Sequence, residues 1–79
     1  MNEALQRVFA DLFGLDEQEV TEDLTPESIE LWDSLNHLRL VTALEEAFSV
    51  RLSMAEIEEM MSSVGRVRDV IQRHTAVGA

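Results

Sequence analysis

The sequence predicts an all-α domain: a four-helix bundle with a long first loop and a short third helix. Three observations carry this expectation. Apolar residues recur at helical spacing in four separate segments, no segment alternates as a strand would, and 79 residues suit one domain spanning 1–79. With no Cys and 46% hydrophobic residues, the core has to be closed by packing alone.

Leu5, Val8, Phe9, Leu12 and Phe13 form an i, i+3, i+4, i+7, i+8 stripe. Asn2 can cap its start and Gly14 its end, so the first helix is placed at 3–13, with Leu15 folding back on the last turn. Residues 15–33 show no helical stripe. Val20, Leu24, Ile29 and Leu31 are spaced anchors that would pin this connection to the core, and Thr25-Pro26 suits one short helical turn. So long a connection in so small a domain points to function. The second helix spans 34–48, with Asp33 or Ser34 as its cap. On it, His37, Leu40, Val41, Leu44, Ala47 and Phe48 share one side and should face the core. Leu35, Arg39, Thr42 and Glu46 share the opposite side, flanked by Asn36. Ser53 and Glu56 form a capping box that opens a third helix at 54–61, with Met54, Ile57 and Met60 or Met61 inward. Ser63 caps the fourth, at 64–74, which carries Val64, Val67, Val70 and Ile71. The ordered core is therefore placed at 3–74, with the tail 75–79 frayed.

Charge narrows the function. Sixteen Asp and Glu against six Arg and no Lys give a formal net charge of −10 at pH 7. Such a surface repels phosphate backbones and anionic lipid, which argues against nucleic acid and membrane partners and for basic protein surfaces. Between Asp16 and Asp33 lie eight acids (Asp16, Glu17, Glu19, Glu22, Asp23, Glu27, Glu30, Asp33) and no base. After Met61 the balance reverses, with Arg66, Arg68 and Arg73 against Asp69 alone. Glu3, Arg7 and Asp11 interrupt any apolar run at the start, so no signal peptide is expected, and no stretch reaches membrane-spanning length. A cytoplasmic monomer is the expectation, and the opening Met and short length favour a free-standing protein.

Catalysis by the chain itself is not expected. Asp33, Ser34 and His37 are close in sequence, but the helical wheel turns His37 toward the core, and a bundle this small can hardly enclose an oxyanion hole and substrate pocket. His74 reads as a favourable charge near the end of the fourth helix. A calcium loop beginning at Asp16 would place Gln18 and Val20 at ligand positions without the needed Gly, and no His or Cys pattern suits zinc, so no metal is expected. The remaining constellation is Leu31-Trp32-Asp33-Ser34-Leu35, where the acidic loop meets the second helix. Ser34 could be a cap and nothing more. It could equally hold a covalent phosphate, since a helix start offers free N–H groups and a favourable dipole.

Asp33-Ser34-Leu35 followed by NHLRLVTALEEAF resembles the acyl carrier proteins and related thiolation domains, in which a D-S-L tripeptide opens the second helix of a four-helix bundle. The likeness runs through Phe9–Gly14, the acidic loop, Leu44-Glu45-Glu46, Phe48 and the helix after Val64. It implies that Ser34, with Asp33 beside it, receives 4′-phosphopantetheine from a phosphopantetheinyl transferase using coenzyme A. The arm's thiol would then carry an acyl or aminoacyl group as a thioester. Leu35, Asn36, Arg39, Thr42, Glu46 and Glu30 would form a docking face for loading and acyl-transfer enzymes with basic patches. A crevice between helices could shelter an apolar cargo. Trp32 stands where fatty-acid carriers usually have Gly, and Asn36 and Arg39 stand where acids are common. These departures favour a specialised polyketide, peptide, lipid or sugar-modifying pathway over housekeeping fatty-acid synthesis. The alternative is an acidic helical adaptor that binds a basic partner with no prosthetic group.

Overall fold

Helices form where the apolar stripes lie, and each helix start has a polar side chain as its cap. The computed structural model describes residues 2–76: α1 (Glu3–Phe13), a single 3-10 turn (Glu17–Glu19), α2 (Ser34–Phe48), α3 (Met54–Met60) and α4 (Val64–Ala76). Asn2 Oδ1 opens α1 by accepting from the N–H groups of Ala4 (2.8 Å) and Leu5 (3.3 Å). Gly14 closes it at φ 68°, a left-handed conformation that suits a residue without Cβ. Leu15 N–H then bonds back to the Ala10 carbonyl at 3.0 Å, as its position predicts. At α3 the capping box is reciprocal: Ser53 Oγ accepts from Glu56 N–H (3.2 Å) while Glu56 Oε1 accepts from Ser53 N–H (2.9 Å).

The inward faces of the four helices meet in one core. Leu5, Phe9, Leu40, Leu44, Met60, Val64, Val67 and Val70 are 0–1% exposed. The long first loop contributes to this core as well as the helices. Val20, Ile29 and Trp32 are buried, and the Trp32 indole stands edge-on to Phe9, with centroids 5.4 Å apart, and 5.9 Å from the Phe13 ring. Hydrogen bonds to its carbonyls hold the loop from α1 and from α4. Gln6 Nε2 donates to the carbonyls of Glu17 and Val20. The first N–H groups of α4 donate to loop carbonyls, Val64 to Leu24 at 2.8 Å and Gly65 to Glu22 at 2.9 Å. Thr25-Pro26 does begin one turn, closed by Ser28 and Ile29 N–H on the Thr25 carbonyl.

Several expectations need correction. Leu31 is 50% exposed and pins nothing, because the turn from Ile29 to Trp32 sends those two side chains inward and Leu31 outward. Met54 is 71% exposed: it is the first residue of α3, and only Met60, nearly two turns further along, reaches the core. Ala47, at the margin of the α2 stripe, is exposed. α3 ends at Met60 with Met61 as its cap, and α4 continues to Ala76, so the start of the supposed frayed tail is helical. Residues 77–79 of that tail lie outside the described residues. The 3-10 turn at Glu17–Glu19 interrupts a stretch expected to be loop, with Asp16 N–H held by Glu19 Oε1 at 2.9 Å.

Candidate functional site: the start of α2

Asp33 caps α2, and Ser34 does not. Asp33 is extended (φ −108°, ψ −176°), and its Oδ1 accepts from Asn36 N–H at 2.8 Å. The sequence left the cap open between these two residues. Ser34 is instead the first residue inside the helix and is exposed, and its hydroxyl bonds no partner among the described residues. The N–H groups of Ser34 and Leu35 likewise meet no acceptor there. A purely structural role for Ser34 as a cap is thereby removed.

The backbone leading into this corner is tightly fixed. Trp32 N–H bonds to the Ile29 carbonyl (2.9 Å) and Asp33 N–H to the Leu31 carbonyl (3.0 Å). Asn36 Nδ2 donates to the same Leu31 carbonyl at 2.7 Å, so a side chain on α2 grips the loop that precedes it. His37, 3% exposed, takes no part in activating Ser34. Its Nδ1 accepts from Trp32 Nε1–H at 2.9 Å, and its Nε2–H donates to the Ile57 carbonyl at 2.7 Å. Each partner has only one role, as donor or acceptor, which fixes the tautomer.

The outward residues of α2 lie as the wheel requires. Leu35 is 61% exposed, Arg39, Thr42 and Glu46 are exposed, and Glu30 joins them from the loop. Asn36 is half-buried by its grip on Leu31. Arg39 enters none of the ion pairs found among the described residues, which include Arg7–Glu17, Arg68–Glu22 and Arg73–Glu59. Two further apolar side chains close to Ser34 in sequence are exposed: Leu38, at 56%, and Leu31. Leu38 was legible, since it sits three residues beyond Leu35 on the same helix. Leu31 was not, because its direction depends on where Trp32 goes. All eight acids from Asp16 to Asp33 are exposed, and of these only Glu17 and Glu22 face an arginine among the described residues. The Thr21 hydroxyl holds the Asp23 carboxyl below the usual aspartate range.

Comparison with known proteins agrees with this arrangement. Residues 3–71 match the family described as "Phosphopantetheine attachment site". The chain is also 36% identical over 73 residues to an acyl carrier protein of Rubrobacter xylanophilus, an overlap covering 91% of this chain and 89% of that protein. The four-helix fold and the matched domain define a phosphopantetheine carrier. The chain belongs to the acyl carrier protein family. The group implied by that family fits the start of α2: an exposed hydroxyl can take a phosphodiester, and two unpaired N–H groups and the helix dipole face its charge. When bound, the arm supplies a thiol that carries an acyl group as a thioester. No helix among the described residues is long and apolar enough to cross a membrane.

Proposed function

We propose that Ser34 carries the 4′-phosphopantetheine and that the chain, as a single carrier domain, presents thioester-bound acyl or aminoacyl groups to partner enzymes without catalysing a step itself. One observation carries the assignment: Asp33 does the capping, so the Ser34 hydroxyl is exposed and unengaged at a helix start. Leu35 anchors partners, with Asn36 and Thr42 on the same docking face, while Glu46, Glu30 and the remaining loop acids steer basic patches toward it. The experiment is an intact-mass spectrum after incubation with a promiscuous phosphopantetheinyl transferase and coenzyme A. The mass should rise by one phosphopantetheine unit in wild type and stay unchanged in Ser34→Ala. A persistent rise in the alanine variant would overturn the assignment.

The pathway served is a specialised one. Arg39, exposed and without an ionic partner among the described residues, puts a positive charge in the middle of the docking stripe and repels the basic patches of fatty-acid enzymes. Arg39→Glu should therefore improve the chain as a substrate for a generic fatty-acid enzyme, most clearly at low salt. Equal rates for the two proteins at low salt would leave Arg39 without a role in partner choice.

A further inference from the structure

We infer that Asn36 is a positioning residue for the attachment at Ser34: its amide ties the Leu31 carbonyl to the first turn of α2 and so holds the Ser34 hydroxyl in the orientation that a transferase engages. The inference rests on attachment of the arm at Ser34 and gives Asn36 a role within the chain in place of contact with a partner.

Ser34 has nothing of its own to hold it. Its hydroxyl and N–H meet no partner among the described residues, and Leu35 beside it is exposed. Its heading is set by four hydrogen bonds that span these two residues, joining Leu31, Trp32 and Asp33 to Asn36 and His37. Two of the four belong to any capped helix: Asp33 Oδ1 accepts from Asn36 N–H at 2.8 Å, and the Asp33 carbonyl accepts from His37 N–H at 2.8 Å. The other two depend on particular side chains. Trp32 Nε1–H donates to His37 Nδ1 at 2.9 Å inside the core, and Asn36 Nδ2 donates to the Leu31 carbonyl at 2.7 Å near the surface. Without the Asn36 amide, the Leu31 carbonyl keeps only the Asp33 N–H at 3.0 Å, a bond that closes a tight three-residue turn. The residue type is decisive here. An amide donates, whereas a carboxylate in its place has no proton to offer and sets its oxygen against the carbonyl oxygen of Leu31.

A loosened corner has a definite kinetic signature. When only a fraction of the carrier presents Ser34 in the engaged orientation, the apparent KM rises by the inverse of that fraction, and kcat of the correctly seated complex is unchanged. Direct contact between residue 36 and a basic partner surface gives the opposite sign for Asn36→Asp, because an added negative charge strengthens that attraction.

The test uses a promiscuous phosphopantetheinyl transferase with coenzyme A. Intact-mass spectra of wild type and Ser34→Ala come first, so failure of the Ser34 assignment shows there and nowhere else. Steady-state kinetics then compare wild type with Asn36→Asp and Asn36→Ala. In both variants KM should rise about fivefold at unchanged kcat, which is the worth of one hydrogen bond. Backbone amide order parameters, measured on the unmodified proteins, should fall from Leu31 to Leu35 and stay at wild-type values along the rest of α2. Ser53→Ala is the control for stability alone: it loses a cap of similar worth at α3, and its KM should match wild type. A lower KM in Asn36→Asp, a wild-type KM in Asn36→Ala, or unchanged order parameters in both variants overturns the inference. A rise in Ser53→Ala equal to that in Asn36→Ala overturns it as well, since the effect then follows stability and not the corner.

Discussion

The helix starts at α2 and α4 border the same loop and use the same backbone chemistry in opposite ways. At α4 every early N–H is taken: Val64 by the Leu24 carbonyl (2.8 Å), Gly65 by the Glu22 carbonyl (2.9 Å) and Arg66 by Ser63 Oγ (3.1 Å). Of the first three N–H groups of α2, only that of Asn36 is taken, by Asp33, and the two before it, on exposed residues, meet no acceptor among the described residues. One end is closed and the other presented. The closed end explains how the open one stays in place, because carbonyls fixed on α4 hold the loop whose far end delivers Trp32, Asp33 and Ser34. Arg68 adds an ionic tie to Glu22 at the same junction.

The closed end should break most visibly. A Cβ on Gly65 would lie 3.1 Å from the Glu22 carbonyl oxygen and 3.4 Å from Glu22 Cβ, so a larger side chain must lift the loop. Gly65→Val is expected to cost about 1–3 kcal/mol in urea unfolding, in the range of an overpacked contact. A variant as stable as wild type would show that this junction does not hold the loop. The open end should respond asymmetrically. Asp33→Ala should cost about 1 kcal/mol as a lost cap, and Ser34→Ala no more than about 0.5 kcal/mol. The opposite order would return the cap to Ser34.

The smallest expected effect belongs to α3, whose start is closed by its own side chains. The Ser53 N–H bond, with a lesser contribution from His74, holds the Glu56 carboxyl below the usual glutamate range despite partial burial. A carboxylate so lowered adds stability above the unfolded-state value of about pH 4.3 and loses it as pH falls through its own folded value. Wild type should therefore lose more stability than Glu56→Gln on acidification from about pH 5 to about pH 3. Parallel curves for the two would remove Glu56 from the acid response.

How much of this was legible in the chain depended on whether the cause was local. The limits of α1 and α2 could be read because Asn2, Gly14 and Asp33 stand directly beside apolar stripes. Asp33-Ser34-Leu35 was legible as a tripeptide, and the outward placement of Leu35, Arg39, Thr42 and Glu46 follows from helical spacing alone. Periodicity also turned His37 inward, but it could not name Trp32 or the Ile57 carbonyl as its partners, since both depend on how the loop and α3 pack. The same dependence explains Leu31. One inward place was available at the end of the loop, and the larger, hydrogen-bonding Trp32 took it. Met54 failed for a different reason: at the first turn of a 7-residue helix, a single stripe does not determine which residue reaches the core.

The length of α2 also sets a scale for handling the molecule. Ser34 and Glu46 belong to one unbroken 15-residue helix and lie about 18 Å apart along its axis at 1.5 Å per residue. That stretch has no joint, and the Asn36–Leu31 bond stiffens its mounting on the loop. A protein that grips the rod near Arg39 and Glu46 thereby fixes the position and heading of the Ser34 hydroxyl, as a yardstick held at one end fixes the other. On the proposed attachment at Ser34, any slack in delivery belongs to whatever is attached beyond that oxygen, so the reach of the system is measured from α2 outward.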